Sequence, residues 1–231
     1  MKDTRVYLFA GHYGSGKTNI AVNFALRLRN EGKRVAVADL DIVNPYFRTK
    51  DSERELREAG VDLICSEYAN TNLDIPALPQ ETYRLVTRDD SYAVFDVGGD
   101  DRGALALGRY VPFIKEEGRY DMYFVVNFAR PLTPNAEEAI AIMREIEAAA
   151  NLPFTGIINN TNIGHETTKE TVCASQTEAK RLSDMTGLPL VMTTVEQSLS
   201  KAFHEEEIPD IFPIRLQPKY FDIGRSSVWQ N

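Results

Sequence analysis

Short apolar runs alternate along the chain with longer segments of helical periodicity. The first apolar run covers residues 5–10, and it is followed by residues 17–30, in which Ile20, Phe24 and Leu28 recur at helical spacing. The same alternation continues to about residue 207. Further strands are predicted at residues 34–39, 61–64, 92–97, 122–127, 154–159 and 190–194, and further helices at residues 51–59, 103–117 (with Pro112 as a candidate break), 135–150, 168–186 and 198–207.

This order of elements predicts an α/β fold. Strands that alternate with helices, without adjacent hairpins, form right-handed crossovers and a mainly parallel sheet that is covered on both faces. Residues 1–231 contain no repeat, linker or low-complexity tract, so we expect a single domain. Ligands of such sheets bind at the carboxyl ends of the strands, and polar residues follow several of the predicted strands there.

A glycine-rich motif follows the first predicted strand and opens the first predicted helix. Residues 11–18 read GHYGSGKT, which satisfies the phosphate-binding pattern G-x-x-x-x-G-K-[ST] in the context that the pattern requires. Backbone N–H groups of such a loop, together with the helix N-terminus, attract phosphate oxygens. Lys17 is expected to reach the β- and γ-phosphates, and the Thr18 hydroxyl is expected to bind Mg²⁺. The predicted nucleotide-binding residues of this loop are Gly11, His12, Tyr13, Gly14, Ser15, Gly16, Lys17 and Thr18.

Three aspartates at strand ends are candidates for the metal and for the attacking water. Asp39 and Asp41 end the second strand, and Asp96 ends the hydrophobic run YAVFDV. A magnesium ion at a phosphate loop is commonly supported by a carboxylate at the tip of a buried strand, which favours Asp96, with Asp39 as a further metal candidate. Asp41 is the candidate that orients the attacking water. The alternative is that these aspartates only cap the helices that follow.

Composition and charge exclude several partners. The net charge is −8, from 34 acidic and 26 basic side chains without a basic cluster, so nucleic-acid binding is not expected. Cys65 and Cys173 form no C-x-x-C pair, and a disulfide framework is not expected. No apolar run approaches the roughly 18 residues of a membrane span, and there is no export signal or basic amphipathic tail, so we expect a cytoplasmic protein without a membrane anchor.

The order of these motifs resembles the MinD/ParA group of P-loop ATPases. The phosphate loop, the segment ADLDIVNPY and the segment FDVGGD correspond to the first, catalytic-aspartate and second-switch segments of that group. The resemblance implies a three-layer, doubly wound P-loop NTPase with a mainly parallel sheet of seven or eight strands. It implies ATP and Mg²⁺ as ligands, Lys17 and Asp41 as catalytic residues, and Thr18, Asp39 and Asp96 at the metal.

The resemblance also assigns the base-binding segments. GIINNTN is similar to the strand-end segment whose asparagine contacts adenine, a role that falls on Asn160, with Asn159 as the alternative. The loop expected at 193–196 would flank the base. No N-K-x-D guanine motif is present, which favours ATP over GTP.

One position departs from the pattern of the group. The signature lysine of the phosphate loop, which crosses a nucleotide-driven dimer, is replaced by His12, and Tyr13 replaces a glycine. Such a cation accelerates phosphoryl transfer by several orders of magnitude, so turnover is expected to be slow. His12 itself, Arg48 and Arg102 are the candidates to supply the charge.

Three functional hypotheses follow. The first is an ATP hydrolase that acts as a nucleotide-dependent switch on an unidentified protein partner or cargo, with a nucleotide-dependent homodimer. The second is a small-molecule kinase or ATP-dependent ligase on the same scaffold, with an acceptor pocket that uses Asn44, Arg48 or Arg109. The third is a nucleotide-binding scaffold with little hydrolysis.

Overall fold

Eight parallel strands form one sheet in the computed structural model, which describes residues 4–40, 52–65, 86, 90–99, 101–203 and 208–216. The strand order is β3-β2-β4-β1-β5-β6-β7-β8, and every adjacent pair is parallel. The strands are β1 (Val6–Ala10), β2 (Val35–Leu40), β3 (Asp62–Cys65), β4 (Tyr92–Val97), β5 (Tyr120–Val126), β6 (Gly156–Asn159), β7 (Leu190–Glu196) and β8 (Ile211–Ile214).

Helices cover both faces of the sheet. Those of the described residues are α1 (Lys17–Asn30), α2 (Glu53–Glu58), α3 (Asp101–Gly108), α4 (Val111–Glu117), α5 (Ala136–Ala150), α6 (Lys169–Thr186) and α7 (Gln197–Ser200), with a short 3₁₀ turn at Gly164–Glu166. One buried cluster packs α1 and α2 against the sheet, and a second packs α3 to α6 against the opposite face. This is the predicted three-layer, doubly wound α/β fold, with eight strands.

Local sequence signals set several of these boundaries. The Asn135 side chain accepts a hydrogen bond from Glu138 N (2.9 Å) at the start of α5, and Thr168 accepts one from Thr171 N at the start of α6. Helix α6 ends at Gly187 in the left-handed conformation. These caps explain why the predicted helices 135–150 and 168–186 are confirmed to within one residue.

The predicted helix at 103–117 is two helices. Helix α3 ends at Gly108, and α4 starts at Val111 with Pro112 in its first turn. A proline in the first helical turn lacks only an N–H that has no partner there, so it is compatible with the start of a helix. Pro112 therefore lies in the first turn of a second helix instead of kinking one long helix.

The C-terminal part of the sheet differs most from the sequence-based expectation. The predicted loop at 193–196 is wrong, because these residues complete strand β7, where Thr193, Thr194 and Val195 are buried. The predicted helix at 198–207 is confirmed only as α7, while 204–207 lie outside the described residues. Strand β8, which was not predicted, contains Pro213 and pairs with β7 at the margin of the described sheet.

Candidate functional site

The phosphate-binding loop lies at the topological switch point of the sheet. Strand β1 has β4 on one side and β5 on the other, and the loop at 11–16 leads from its carboxyl end into α1. Ligands of open α/β sheets bind where neighbouring strands lead away in opposite directions. Within the loop, Ser15 N donates to His12 O at 3.1 Å, which closes the turn before the helix.

Gly16 forms the last residue of the loop and the N-cap of α1. Its φ of 91° lies in the left-handed region, and a Cβ built at this position would lie 2.1 Å from Asn160 Nδ2. Both the dihedral angle and the close approach exclude a side chain. The glycine therefore allows Asn160, the residue that follows β6, to pack directly on the loop.

Lys17 lies with its ammonium group inside the loop. The side chain is buried, and Nζ donates to His12 O at 3.2 Å. Gly99, which follows β4, approaches the same group: a Cβ at Gly99 would lie 2.8 Å from Lys17 Nζ and 2.6 Å from Tyr13 N. The segment after β4 is thus in contact with the residue that is predicted to bind the terminal phosphates.

Asp39 and Asp96 are neighbours in the sheet. They are paired in register between β2 and β4, and both are buried. Val37 and Val94, two residues earlier in each strand, pack in the cluster that contains α1, so alternation directs both carboxylates to the α1 face. Thr18 is the second residue of α1 and is also buried. Two carboxylates and a hydroxyl on one face suit a hard divalent cation such as Mg²⁺.

Asn160 joins the phosphate loop to the far side of the sheet. Its Nδ2 donates to Ser15 O at 2.5 Å, its Oδ1 accepts from the Thr194 hydroxyl, and its backbone N donates to Val126 O at 2.8 Å. Asn159 is the alternative candidate for the adenine contact. Its Nδ2 donates to Ser175 Oγ at 2.8 Å, and its Oδ1 accepts from the Thr161 hydroxyl at 2.7 Å. Of the two, only Asn160 contacts the loop.

A family model for the CobQ/CobB/MinD/ParA nucleotide-binding domain matches residues 8–207. The chain belongs to this family. The match covers the phosphate loop, the strand-end aspartates and Asn160, and it agrees with the resemblance that the motifs indicated. No curated protein sequence matches this member of the family significantly.

Solved structures with a similar fold include the signal recognition particle receptor FtsY and the signal recognition particle 54 kDa protein. The family member superposes on FtsY from Thermotoga maritima with a TM-score of 0.59 at 18% identity, covering 84% of this chain and 62% of that one. For FtsY from Mycoplasma mycoides the TM-score is 0.58 at 15% identity, with the same coverage. For the signal recognition particle 54 kDa protein from Aeropyrum pernix, in complex with GDP, it is 0.53 at 18% identity, covering 83% of this chain and 41% of that one.

These likenesses show the fold. The chain spans less than two thirds of the length of each of these structures. They agree with the doubly wound α/β fold described above.

Several predicted residues of this family member lie outside the described residues. These are the catalytic candidate Asp41 and the acceptor-site candidates Asn44 and Arg48, while nothing is described for the side chain of Arg102. Arg109 is exposed directly after α3. At the loop itself, His12 is half-buried with Nδ1 3.0 Å from Tyr13 O, and Tyr13 is 55% exposed at the tip.

Two side-chain contacts around the loop were not predicted from the sequence. Thr194 supports Asn160 as described above, and Arg130 Nε donates to Gly14 O at 3.1 Å. Arg130 lies four residues after the end of β5. This position at the ligand-binding edge of the sheet is the sequence feature that could have identified it.

None of the described helices is long and apolar enough to cross a membrane.

Proposed function

We propose that this protein is a Mg²⁺-dependent ATP hydrolase that works in the cytoplasm as a nucleotide-dependent switch on a protein partner. The observation that carries the proposal is the contact of Gly99 with both Tyr13 and Lys17 of the phosphate loop. A Cβ at Gly99 would clash with both residues, so a group that binds at Lys17 would lie close to the Gly99 backbone. Phosphate binding at the loop can therefore change the conformation of the segment after β4.

That segment leads directly to helix α3. A Cβ at Gly103 would lie 2.4 Å from Gly98 Cα, so α3 packs on the backbone that precedes Gly99. A terminal phosphate and its metal order such segments, and hydrolysis releases them. In this proposal Lys17, Gly99, Gly98 and Gly103 form the path from the phosphate to α3.

The metal site of the proposal uses Thr18, Asp39 and Asp96. When bound, Mg²⁺ neutralises the phosphate charge that develops during transfer. Thr18 offers a hydroxyl oxygen at the start of α1, and the two aspartates offer carboxylates on the same face. Asp41, two residues after Asp39, is proposed to orient the attacking water, as the resemblance implies.

Adenine is favoured as the base by the segment after β6. Residues 159–164 read NNTNIG and contain no carboxylate, the group that accepts both donors on the guanine edge. Asn160 lies 2.5 Å from the loop backbone through Nδ2 and is proposed to lie beside the base. The fold neighbour from Aeropyrum pernix was solved with GDP, so GTP is the competing ligand to test.

Exposed apolar side chains around the loop support a protein partner, which we propose is a second copy of the chain. Tyr13, Leu132 and Ile163 are 55%, 54% and 47% exposed and follow β1, β5 and β6 at one edge of the sheet. Apolar groups that are exposed together commonly mark an interaction site. Nucleotide bound at this edge would lie within the interface.

The test combines turnover, binding and oligomeric state. Purified protein is assayed with Mg²⁺ and ATP or GTP, together with the variants Lys17→Ala and Asp41→Ala, and its mass is measured with and without nucleotide. We expect ATP turnover that falls on the order of 100-fold or more in both variants, and dimerisation with ATP. Leu132→Ser should weaken the dimer, while Met185→Ser, equally exposed at the end of α6, should not.

Three results would reject parts of the proposal. Turnover that persists in Lys17→Ala would place the activity in another protein of the preparation. Preference for GTP would overturn the assignment of ATP. Tight ATP binding without turnover, dimer or response to Leu132→Ser would reject the switch and favour a phosphoryl acceptor or a scaffold role.

A further inference from the structure

We infer that Arg130 is a phosphate-binding residue of the nucleotide site, supplied by the loop after β5 of the same chain. This inference rests on the proposed nucleotide binding and adds to it a cation that lies outside the P-loop motif. Arg130 Nε donates to Gly14 O at 3.1 Å, across 116 residues of sequence. The guanidinium lies over Gly14, since a Cβ there would be 3.7 Å from Nε and 3.9 Å from Cζ.

The guanidinium has unused donors at this position. A guanidinium carries five N–H groups, and Nε uses one of them on Gly14. Within the part of the chain that the structure describes, Nη1 and Nη2 have no hydrogen-bond or ion-pair partner, and the side chain is exposed. Most other arginines of the described chain are paired with carboxylates, for example Arg144 with Glu147 and Arg181 with Glu137. Arg130 instead contacts the backbone of the phosphate loop at Gly14.

The loop that carries Arg130 is held in one conformation by Asn127. The Asn127 carboxamide is buried, accepts from Ala129 N at 2.9 Å and donates to Asn162 O at 3.0 Å. Its backbone oxygen accepts from Arg130 N at 3.1 Å and from the Thr133 hydroxyl at 2.8 Å. A side chain on a loop fixed in this way loses little backbone freedom when it binds a ligand.

The negative charge of a nucleoside triphosphate favours binding by the Arg130 guanidinium. A Mg²⁺-bound triphosphate remains negatively charged near neutral pH, and Lys17 would balance only part of that charge. A planar guanidinium binds phosphate oxygens through two parallel hydrogen bonds, which are stronger than those between neutral groups. Because the Arg130 guanidinium lies over Gly14 of the loop, it is placed to contact the terminal phosphate through Nη1 and Nη2.

The experiment compares triphosphate and diphosphate binding by titration calorimetry with Mg²⁺. The ligands are AMP-PNP and ADP, or GMP-PNP and GDP if the guanine nucleotides prove to be the ones bound. We expect Arg130→Ala to lower the affinity for the triphosphate analogue roughly tenfold to a hundredfold, and the affinity for the diphosphate less than about threefold. Arg144→Ala, an exposed arginine on α5, is the matched control and should change neither.

Arg130→Gln separates the phosphate contact from the bond to Gly14. Glutamine keeps an N–H donor for Gly14 O but has no charge, so we expect it to lose as much triphosphate affinity as Arg130→Ala. Arg130→Lys should recover part of that affinity. A glutamine variant with wild-type affinity, or equal losses for the triphosphate and the diphosphate, would overturn the inference and leave Arg130 as a support of the loop.

The outcome for the wild type keeps this inference distinct from the proposed function. Wild-type protein that binds the triphosphate through Lys17, but is unaffected by every Arg130 variant, would overturn only the inference. Wild-type protein that binds neither nucleotide would overturn the proposed function and this inference together.

Discussion

Asn160 Nδ2 lies 2.5 Å from Ser15 O and would be 2.1 Å from a Cβ at Gly16. The same carboxamide accepts a hydrogen bond from the Thr194 hydroxyl. A single buried side chain thus fixes the end of the phosphate loop to strands β6 and β7. The geometry of the loop depends on this residue as well as on the residues of its own motif.

Asn160→Ala is expected to lower both stability and nucleotide affinity. The substitution leaves Ser15 O and the Thr194 hydroxyl without their buried partner, which costs about 1–3 kcal/mol in the free energy of unfolding. Nucleotide affinity should fall for every nucleotide that the loop binds. Chemical denaturation and titration calorimetry measure the two effects.

Asn23→Ala is the matched control for Asn160. Both ends of the Asn23 carboxamide also form hydrogen bonds: Oδ1 accepts from Arg215 N at 2.8 Å and Nδ2 donates to Arg215 O at 2.9 Å. Arg215 directly follows β8. Asn23→Ala should lower stability and leave nucleotide affinity unchanged. If Asn160→Ala changes only the preference between ATP and GTP, the residue contacts the base and does not hold the loop.

Gly99→Ala is expected to impair the phosphate site. The added methyl group would lie 2.6 Å from Tyr13 N and 2.8 Å from Lys17 Nζ, and the Tyr13 atom belongs to the backbone. Overpacking of this kind costs about 1–3 kcal/mol, so triphosphate affinity should fall roughly tenfold or more. Gly108→Ala is the control, because no atom lies within 4 Å of a Cβ at that position in α3. Equal affinity of the two variants would show that Gly99 is not coupled to the loop.

Asp96→Asn and Asp39→Asn are expected to lower the affinity for nucleotide only when Mg²⁺ is present. Both carboxylates lie in register on the face that carries Thr18. Removal of one charge should weaken nucleotide binding in the presence of Mg²⁺ and leave binding in excess EDTA nearly unchanged. Calorimetry in the two buffers measures the difference. An equal loss with and without the metal would place these aspartates outside the metal site.

Glu117 is expected to stabilise the fold in a pH-dependent manner. Burial raises the pKa of Glu117, but hydrogen bonds and charge from Arg5 and Arg119 outweigh that effect and lower it below 4.5. Arg5 is buried, and its Nε donates to Glu117 Oε1 at 3.0 Å. Because the pKa is lower in the folded state, the stabilisation is present above the unfolded pKa and is lost as pH falls below about 4.5 through the folded value.

Glu117→Gln tests that prediction. Loss of charge-assisted hydrogen bonds to a partly buried carboxylate costs about 1–3 kcal/mol, so the variant should unfold more readily than the wild type at pH 7. The difference in the free energy of unfolding should shrink as the pH is lowered below 4.5. Denaturant unfolding at several pH values measures it. A difference that is independent of pH would show that packing, and not charge, accounts for the effect.

Local signals determined much of this protein from the sequence. The alternation of apolar runs and helical segments determined the parallel α/β sheet, and the caps Asn135, Thr168 and Gly187 determined the bounds of α5 and α6. The motif at 11–18 determined the phosphate loop. All of these depend on residues that are close in sequence, where backbone preferences and side-chain periodicity act directly.

Contacts between distant segments were decided only by the tertiary structure. Arg130 reaches Gly14 over 116 residues, and Asn160 reaches Ser15 over 145. Strand β8 is formed although it contains Pro213, because a strand at the margin of a sheet tolerates a residue that cannot donate to the ladder. The sequence by itself identifies the residues of the predicted phosphate loop. The packing of β4, β5, β6 and β7 around the loop decides which other residues reach it, because those contacts exist only once the sheet has assembled.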